Sequence, residues 1–326
     1  DLPGSPKKTT VYHQEGTILR AVVFAYHEIG YVCLEELIDF GTDVPCLFTH
    51  EDDPNEEVWF RRPAELAKKK GIPIYTPDNL KEPSWEAMIS DMKPDVIFSF
   101  YYRNLIPMEI LSIPTIGAFN LHGSLLPKFR GRCPVNWVLI EGERTTGLTL
   151  HFMVEKPDAG DIVAQRPVDI TFDDNAHTLF MKMSKEARVL MKEILPRIQD
   201  RSFVRVPQAD LGPSSYFGGR KPEDGLIGWH KDAISIHNLT RAVTHPYPGA
   251  FSFLDGKKFF VWHAYPVQEQ ANSVPGSIIS TQPLIVSTGK GTLKLLRVQL
   301  EDEDETDGET FAATHDVENK ILGGNT

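Results

Sequence analysis

The sequence predicts an α/β protein, in which a mostly parallel sheet has helices on both faces and a smaller C-terminal β-barrel follows. From Leu19 onward, short apolar runs alternate with segments of helical periodicity, the pattern of a parallel sheet. After Gly249, short β-rich runs follow one another, separated by turns such as Asp255-Gly256. We therefore expect a Rossmann-like sheet domain joined to an OB-like barrel.

The expected elements of the sheet domain follow in chain order. Apolar runs predict strands at 21–25, 44–49, 72–75, 95–100 and 117–121, and periodic segments predict helices at 31–40, 57–70, 85–92 and 175–198. Active sites of such sheets lie beyond the carboxyl ends of the strands. We therefore look for chemistry where the fifth strand ends.

Composition shifts divide the chain into five segments. Residues 1–18 lack periodicity and are expected to form a flexible extension, and 19–201 are expected to form the first domain, which carries the candidate site described below. Residues 202–222 are rich in Pro, Gly and Ser and predict a linker. Residues 223–300 should form the barrel, and 301–326 an acidic, solvated tail.

Composition narrows the class of protein. The net charge of -11 and the lack of a long basic run disfavour a nucleic-acid partner. No apolar run approaches the roughly 20 residues that cross a bilayer, so no membrane insertion is expected. Three cysteines without a CxxC pair predict no disulfide framework, no metal site and a reducing cytoplasm. The cluster Lys128, Arg130 and Arg132 suits one small anion.

Three polar residues have the pattern of an acid–base site. Asn120 and His122 are two positions apart, so both side chains leave a strand on the same face. A histidine moves protons near neutral pH, an amide can stabilise an oxyanion, and Asp158 can orient the imidazole. Ser124 lacks the G-x-S-x-G setting of a nucleophile, which favours direct attack by an amine. Spacing alone favours hydrogen-bonded loop residues over catalytic ones.

Longer motifs around these residues resemble a known family. The strings at 119–132 (Phe-Asn-Leu-His-Gly-Ser-Leu-Leu-Pro-Lys-Phe-Arg-Gly-Arg), 147–153 and 158–161 resemble the 10-formyltetrahydrofolate-dependent formyltransferases. That family includes glycinamide ribonucleotide, methionyl-tRNA and nucleotide-sugar formyltransferases. The resemblance extends from about Leu19 to Val298.

The resemblance implies N10-formyltetrahydrofolate as the formyl donor and a role for each site residue. It implies that His122 transfers protons, Asn120 stabilises the transition state and Asp158 tunes His122. The family commonly has His in place of Asn104 and Ala in place of Cys133. The implied folate contacts are Asn104, Leu105, Ile106, Arg132, Val154, Glu155, Lys156, Pro157 and Asp158.

The acceptor is implied by further motifs. The strings at 23–27, 95–103 and 246–251 are most similar to formyltransferase domains of bifunctional polymyxin-resistance proteins, which formylate UDP-4-amino-4-deoxy-L-arabinose during lipid A modification. A dehydrogenase-type domain often follows in those proteins, so fusion or association with one, and a homo-oligomer, remain open. The alternatives are another nucleotide-linked amino sugar, methionyl-tRNA, hydrolysis of formyltetrahydrofolate, or folate binding without catalysis. The acidic charge counts against tRNA.

Overall fold

The computed structural model describes residues 18–54, 57–267 and 272–323. The expected N-terminal extension therefore lies outside the described residues, apart from Ile18. The first half contains β1 (Ala21–Ala25), α1 (His27–Asp39), β2 (Leu47–Phe48), α2 (Pro63–Lys70), β3 (Ile74–Tyr75), α3 (Pro83–Met92), β4 (Val96–Phe100), α4 (Met108–Leu111), β5 (Gly117–His122), β6 (Arg130–Gly131), α5 (Pro134–Ile140), β7 (Thr145–Phe152), β8 (Ile162–Asp169) and α6 (Ala176–Gln199). The second half contains β9 (Tyr216–Phe217), α7 (Ala233–Val243), β10 (Ala250–Leu254), β11 (Lys257–Val267), β12 (Ile278–Thr281), β13 (Leu284–Ser287), β14 (Thr292–Leu300), β15 (Thr306–Asp307) and α8 (Gly308–Thr314).

The first domain is a seven-stranded sheet in the order β3-β2-β1-β4-β5-β7-β8. The first five strands are parallel, and β7 and β8 add an antiparallel edge. In β1, Val23 packs into one core cluster and Phe24 into another, because alternate side chains point to opposite faces. Both faces are therefore covered, and the expected mostly parallel Rossmann-like sheet is confirmed.

Helix α2 is shorter than expected. The sequence pattern predicted a helix over 57–70, whereas the helix begins at Pro63. Arg62 is the N-cap, with extended φ and ψ of -92° and 127°. The residue before a proline avoids the α conformation, and a proline fits the first helical position, where no intrahelical partner is needed. The proline therefore fixes where the helix starts.

The sequence predicted a smaller OB-like barrel after the first domain, and the structure has a separate domain of antiparallel strands there. Strands β10-β11-β14-β13-β12 follow in that order, and β15 pairs with β14. The domain is held against the first one by Arg241 of α7, whose guanidinium donates hydrogen bonds to the carbonyls of Thr171 and Asp174 at 3.0 and 3.1 Å. In the described part of the chain, no helix is long and apolar enough to cross a membrane.

Residues 301–323 do not form the expected solvated tail. They contain β15 and α8, and the side chains of Phe311, Val317 and Leu322 are only 1%, 1% and 2% exposed. Acidic residues surround these apolar positions in the sequence, and the prediction of a solvated tail was based on that charge. Burying such side chains stabilises the folded chain, so the segment belongs to the second domain.

The segment expected to be a linker, residues 202–222, also does more than connect domains. A short 3-10 turn at Gln208–Leu211 and strand β9 lie within it. Strand β9 pairs in parallel with β6, placing Tyr216 opposite Arg130. This segment therefore forms one wall of the region described next.

Candidate active site

The candidate site is built on the end of β5. Asn120 and His122 point to the same face, because they are two residues apart on one strand. His122 is the last residue of β5 and is 6% exposed. In the pairing of β5 with the antiparallel β7, Asn120 lies opposite His151. The strand thus places one amide and two imidazoles close together.

The imidazole of His122 bonds through one nitrogen and faces a carboxylate with the other. Its Nε2 lies 2.7 Å from the carbonyl oxygen of Phe129, which can only accept a hydrogen bond. The proton of the neutral ring therefore lies on Nε2. Nδ1 lies 3.5 Å from Oδ1 of Asp158. Nδ1 is therefore the nitrogen without a proton in this tautomer, and it is the one that faces the carboxylate of Asp158.

Asp158 is held by its neighbours on both sides. Its Oδ2 accepts a hydrogen bond from the amide of Gly131 at 2.9 Å. The side chain of Gln208 donates to the carbonyls of Asp158 and Gly160, both at 2.8 Å. A Cβ at Gly160 would lie 2.0 Å from the carbonyl oxygen of Phe152, so only glycine fits there. The loop is fixed with the carboxylate turned toward β5.

His151 is a site residue that reasoning from spacing missed. Its Nδ1 lies 2.8 Å from the carbonyl of Phe152, and its Nε2 lies 3.2 Å from Nδ2 of Asn120. Burial lowers the pKa of His151 to about 4, although Asp158 acts in the opposite direction. The ring is therefore neutral near pH 7, donates from Nδ1 and accepts the amide hydrogen of Asn120. The one signal in the sequence was its position inside the 147–153 motif.

The remaining predicted site residues lie on the rim. Residues 104–106 follow β4, the strand next to β5, and Leu105 is 79% exposed. Residues 154–157 follow β7 and lead to Asp158, and Val154 is 41% exposed. Arg132 is exposed next to Gly131, and its amide donates to the carbonyl of Phe217 at 3.0 Å. Exposed loops thus flank the buried polar cluster from both neighbouring strands.

Other polar groups near β5 have structural partners. Ser124 is fully buried, and its hydroxyl donates to the carbonyl of Lys128 at 2.7 Å. Within the described ranges, no group of three or more His, Cys, Asp and Glu side chains is arranged to hold a metal ion. A cavity of about 320 Å³ lies at the carboxyl ends of the first three strands and is lined in part by Tyr26, His50 and Asp52.

The arrangement suits proton transfer coupled to charge stabilisation. His122 has an unprotonated nitrogen beside a carboxylate, and Asn120 has an amide whose orientation is set by His151. One group can take a proton from an attacking nucleophile, while the other donates to an oxygen on which negative charge develops. These are the requirements of acyl transfer.

Several solved structures are similar to this chain. HypX from Aquifex aeolicus in complex with tetrahydrofolic acid has 18% identity and a TM-score of 0.63, over 93% of this chain and 49% of that one. The chain therefore spans about half of HypX. WlaRD, a sugar 3N-formyl transferase solved with dTDP and 5-N-formyl-THF, has 18% identity and a TM-score of 0.64, over 89% of this chain and 100% of that one. The N-formyltransferase from Helicobacter canadensis, solved with folinic acid and dTDP-3-aminofucose, has 18% identity and a TM-score of 0.63, over 89% and 100%.

Comparison with models of protein families identifies the family of this chain, whereas the structures above share only its fold. Residues 32–195 match the formyl transferase family, and residues 220–316 match the formyl transferase C-terminal domain. The first match covers most of the sheet domain, with Asn120, His122 and Asp158, and the second covers most of the antiparallel domain. The resemblance drawn from the motifs is confirmed at the level of the family, and the chain belongs to the formyl transferase family.

Proposed function

We propose that the chain transfers a formyl group from N10-formyltetrahydrofolate to the amino group of a nucleotide-linked amino sugar, with UDP-4-amino-4-deoxy-L-arabinose as the acceptor. The observation that carries the proposal is the position of His122 Nδ1, 3.5 Å from Asp158 Oδ1 and on the same face as Asn120. Membership of the formyl transferase family makes formyl the transferred group. The roles of these three residues are part of the proposal.

The proposed mechanism is a direct attack without a covalent enzyme intermediate. The amine lone pair forms a bond to the formyl carbon, and the C=O π electrons move to the oxygen. The amide of Asn120 donates to that oxygen, while Nδ1 of His122 takes the proton that leaves the amine. Collapse reforms C=O and breaks the carbon–N10 bond, and the proton passes from His122 to N10 of tetrahydrofolate. Asp158 stabilises the imidazolium between these steps.

The formyl donor is proposed to bind between the exposed loops. The motif resemblance assigns folate contacts to 104–106, Arg132 and 154–158, which include both exposed loops beside the polar cluster. The guanidinium of Arg132 can pair with a folate carboxylate through its planar fork. The HypX, WlaRD and Helicobacter canadensis structures, with tetrahydrofolic acid, 5-N-formyl-THF and folinic acid, support a folate donor.

The class of the acceptor and the particular sugar are supported by different observations. WlaRD was solved with dTDP and the Helicobacter canadensis enzyme with dTDP-3-aminofucose, which supports a nucleotide-linked amino sugar. The choice of UDP-4-amino-4-deoxy-L-arabinose, and with it a cytoplasmic role in lipid A modification and polymyxin resistance, rests on the motif similarity to the formyltransferase domain of ArnA. Fusion to or association with a dehydrogenase domain, and homo-oligomerisation, rest on that same similarity.

Removing the imidazole tests the catalytic role. His122→Ala should lower kcat by about a hundredfold or more, since general acid–base groups contribute factors of this size. Turnover would be measured with N10-formyltetrahydrofolate and UDP-4-amino-4-deoxy-L-arabinose. His230→Ala, which removes an exposed imidazole from the second domain, should leave turnover unchanged. Near-normal turnover in His122→Ala would contradict the assignment.

A substrate panel tests the acceptor. The chain would be assayed with UDP- and dTDP-linked amino sugars beside methionyl-tRNA. Formylation of the tRNA, falling steeply with salt, would replace the sugar proposal with the tRNA activity. Formate release in the absence of any amine would identify a hydrolase. Tight folate binding without turnover on the whole panel would identify a binding module.

A further inference from the structure

The carbonyl oxygen that bonds to His122 belongs to a residue in a strained backbone conformation. Phe129 has a φ of 57°, in the left-handed region that residues with a Cβ adopt only at a cost in free energy. Its carbonyl oxygen lies 2.7 Å from Nε2 of His122, and two residues further on Gly131 donates its amide hydrogen to Asp158. This short segment therefore contacts both members of the imidazole–carboxylate pair, and surrounding groups must hold its strained conformation.

The peptide group that joins Phe129 to Arg130 is held at both ends. In a planar trans peptide, the C=O and N–H bonds point in opposite directions. The Phe129 carbonyl accepts a hydrogen bond from Nε2 of His122, while the Arg130 amide donates to the carbonyl of Ser215 at 2.9 Å. Ser215 therefore fixes, from the far side of the peptide, the direction in which the Phe129 carbonyl points.

The preceding peptide group, between Lys128 and Phe129, is held in the same way. Its carbonyl accepts a hydrogen bond from Oγ of Ser124 at 2.7 Å, and its amide donates to Oγ of Ser215 at 2.8 Å. The amide of Ser215 also donates to the carbonyl of Pro127 at 3.3 Å. Because φ and ψ of Phe129 are the rotations between these two peptide planes, holding both planes fixes its left-handed conformation.

Aromatic rings anchor the segment that carries Ser215. The ring of Phe217 stacks on the ring of Phe129, with centroids 5.0 Å apart and 13° between the planes. Phe217 also packs against Trp137 of α5 at 5.0 Å, and the guanidinium carbon of Arg220 lies 4.8 Å from the centroid of the Trp137 ring. Ser215 is half-buried and lies between the two stretches that match the family. These rings keep it against the loop that leads to the Phe129 carbonyl.

We propose that Ser215 is a positioning residue for formyl transfer, which fixes the tautomer and orientation of His122 through the carbonyl of Phe129. The role rests on the proposed function, since His122 is the proton acceptor there. An imidazole held with its proton on Nε2 presents an unprotonated Nδ1 on the side of Asp158. Without the hydroxyl of Ser215, the amide of Phe129 loses its acceptor, and the carbonyl is no longer held toward Nε2.

NMR of the full chain, isotopically labelled in its histidine rings, measures the tautomer without any turnover. The two ring nitrogens give different signals according to which one carries the proton, and comparison with His122→Ala assigns the signals of His122. The native protein should have Nε2 protonated. Ser215→Ala should move these signals toward the average of the two tautomers, whereas Ser215→Thr keeps the hydroxyl and should retain the native positions. Ser214→Ala removes a hydroxyl from the exposed neighbouring residue and is the matched control, with native signals expected.

Steady-state kinetics give a second measurement. Ser215→Ala should lower kcat about tenfold, the size expected for the loss of one hydrogen bond. The KM for N10-formyltetrahydrofolate should change by less than about twofold, because the lost bond acts on the base and not on folate binding. Ser215→Thr should recover most of kcat, and Ser214→Ala should leave it unchanged. If Ser215→Ala lowers the free energy of unfolding in urea but keeps the native ring signals and kcat, the residue is merely structural and the proposal is overturned.

The positioning role and the proposed function fail in different ways. If the ring signals of His122 shift in Ser215→Ala but no amino sugar is formylated by the native chain, Ser215 does hold the imidazole and the proposed function is wrong. If the sugar is formylated while Ser215→Ala keeps the native ring signals and kcat, the function stands and the role of Ser215 is wrong. Equal losses of kcat in Ser215→Ala and Ser215→Thr would also overturn that role, because threonine retains the hydroxyl.

Discussion

At the scale of single residues, a backbone carbonyl decides which nitrogen of His122 is available. The oxygen of Phe129 fixes the proton on Nε2, so Nδ1 faces Asp158 as the proton acceptor. The reverse tautomer would leave two acceptors only 2.7 Å apart at Phe129, closer than the 3.5 Å that separates Nδ1 from Asp158. A loop residue with no chemistry of its own thereby sets the tautomer of the candidate base.

His151 gives the first prediction at this scale. His151→Leu removes the acceptor that orients the amide of Asn120, so kcat should fall by about tenfold, as expected for a misplaced oxyanion donor. His151→Gln keeps an acceptor and should retain more of the activity. Steady-state kinetics would show the loss in kcat, with little change in the KM for the folate. Equal kcat values for the leucine and glutamine variants would show that His151 does not position Asn120.

At the scale of elements, the antiparallel edge of the sheet explains how the site residues come together. Because β7 runs opposite to β5, it brings His151 beside Asn120 and then leads into the loop that carries Asp158. A parallel neighbour would need a crossover of a dozen residues or more before it reached β5. The reversal of direction therefore places three polar groups from distant positions within one cluster.

The segment between the domains gives the second prediction. Gln208 lies in the 3-10 turn, is 4% exposed and donates to the carbonyls of Asp158 and Gly160 while its oxygen accepts from Arg130. Gln208→Ala leaves these groups without partners, so the free energy of unfolding should fall by about 2–3 kcal/mol. It should also lower kcat, since the Asp158 loop loses its anchor.

Urea unfolding and steady-state kinetics would measure both effects of Gln208→Ala. Leu211→Ala, in the same turn but 47% exposed, is the control and should change the free energy of unfolding by no more than about 0.5 kcal/mol. If both variants unfold at the same urea concentration as the native protein, Gln208 is not the anchor of the loop.

At the scale of the whole molecule, buried histidines link stability to pH. The pKa of His27 is lowered to about 3, and those of His50 and His151 to about 4, in each case mainly by burial. An unfolded histidine takes up a proton below about pH 6.5. Between about pH 6.5 and 4 the unfolded chain therefore binds protons that the folded chain does not. Stability should be fully present above pH 6.5 and fall as the pH is lowered through that window.

His27→Asn tests this dependence. His27 has a φ of 68°, a left-handed conformation that asparagine adopts more readily than most residues. Losing one such group should reduce the slope of the unfolding free energy against pH, between pH 6 and 5, by about 1 kcal/mol per pH unit. Urea unfolding over that range would measure it. An unchanged slope would mean that His27 is protonated in the folded protein.

The sheet and the candidate site residues could be predicted from the sequence, because both depend on short stretches of chain. The apolar runs of β1 and β4 and the spacing of Asn120 and His122 are properties of neighbouring residues. The start of α2 and the packing of residues 301–323 were not predicted. Periodicity led to the expected helix over 57–70, and acidic composition to the expected tail, whereas a single proline and a few buried apolar side chains decided the structure.

The sequence by itself determined the parallel α/β domain, the antiparallel second domain, the family and the three residues of the candidate site. These follow from periodicities and motifs, which are carried by short stretches of chain. Only the tertiary structure decided that His151 contacts Asn120, that Gln208 anchors the Asp158 loop and that Arg220 lies over Trp137. These pairs are 31, 50 and 83 residues apart in the sequence, and such distances become contacts only when the strands pair and the segment between the domains folds back.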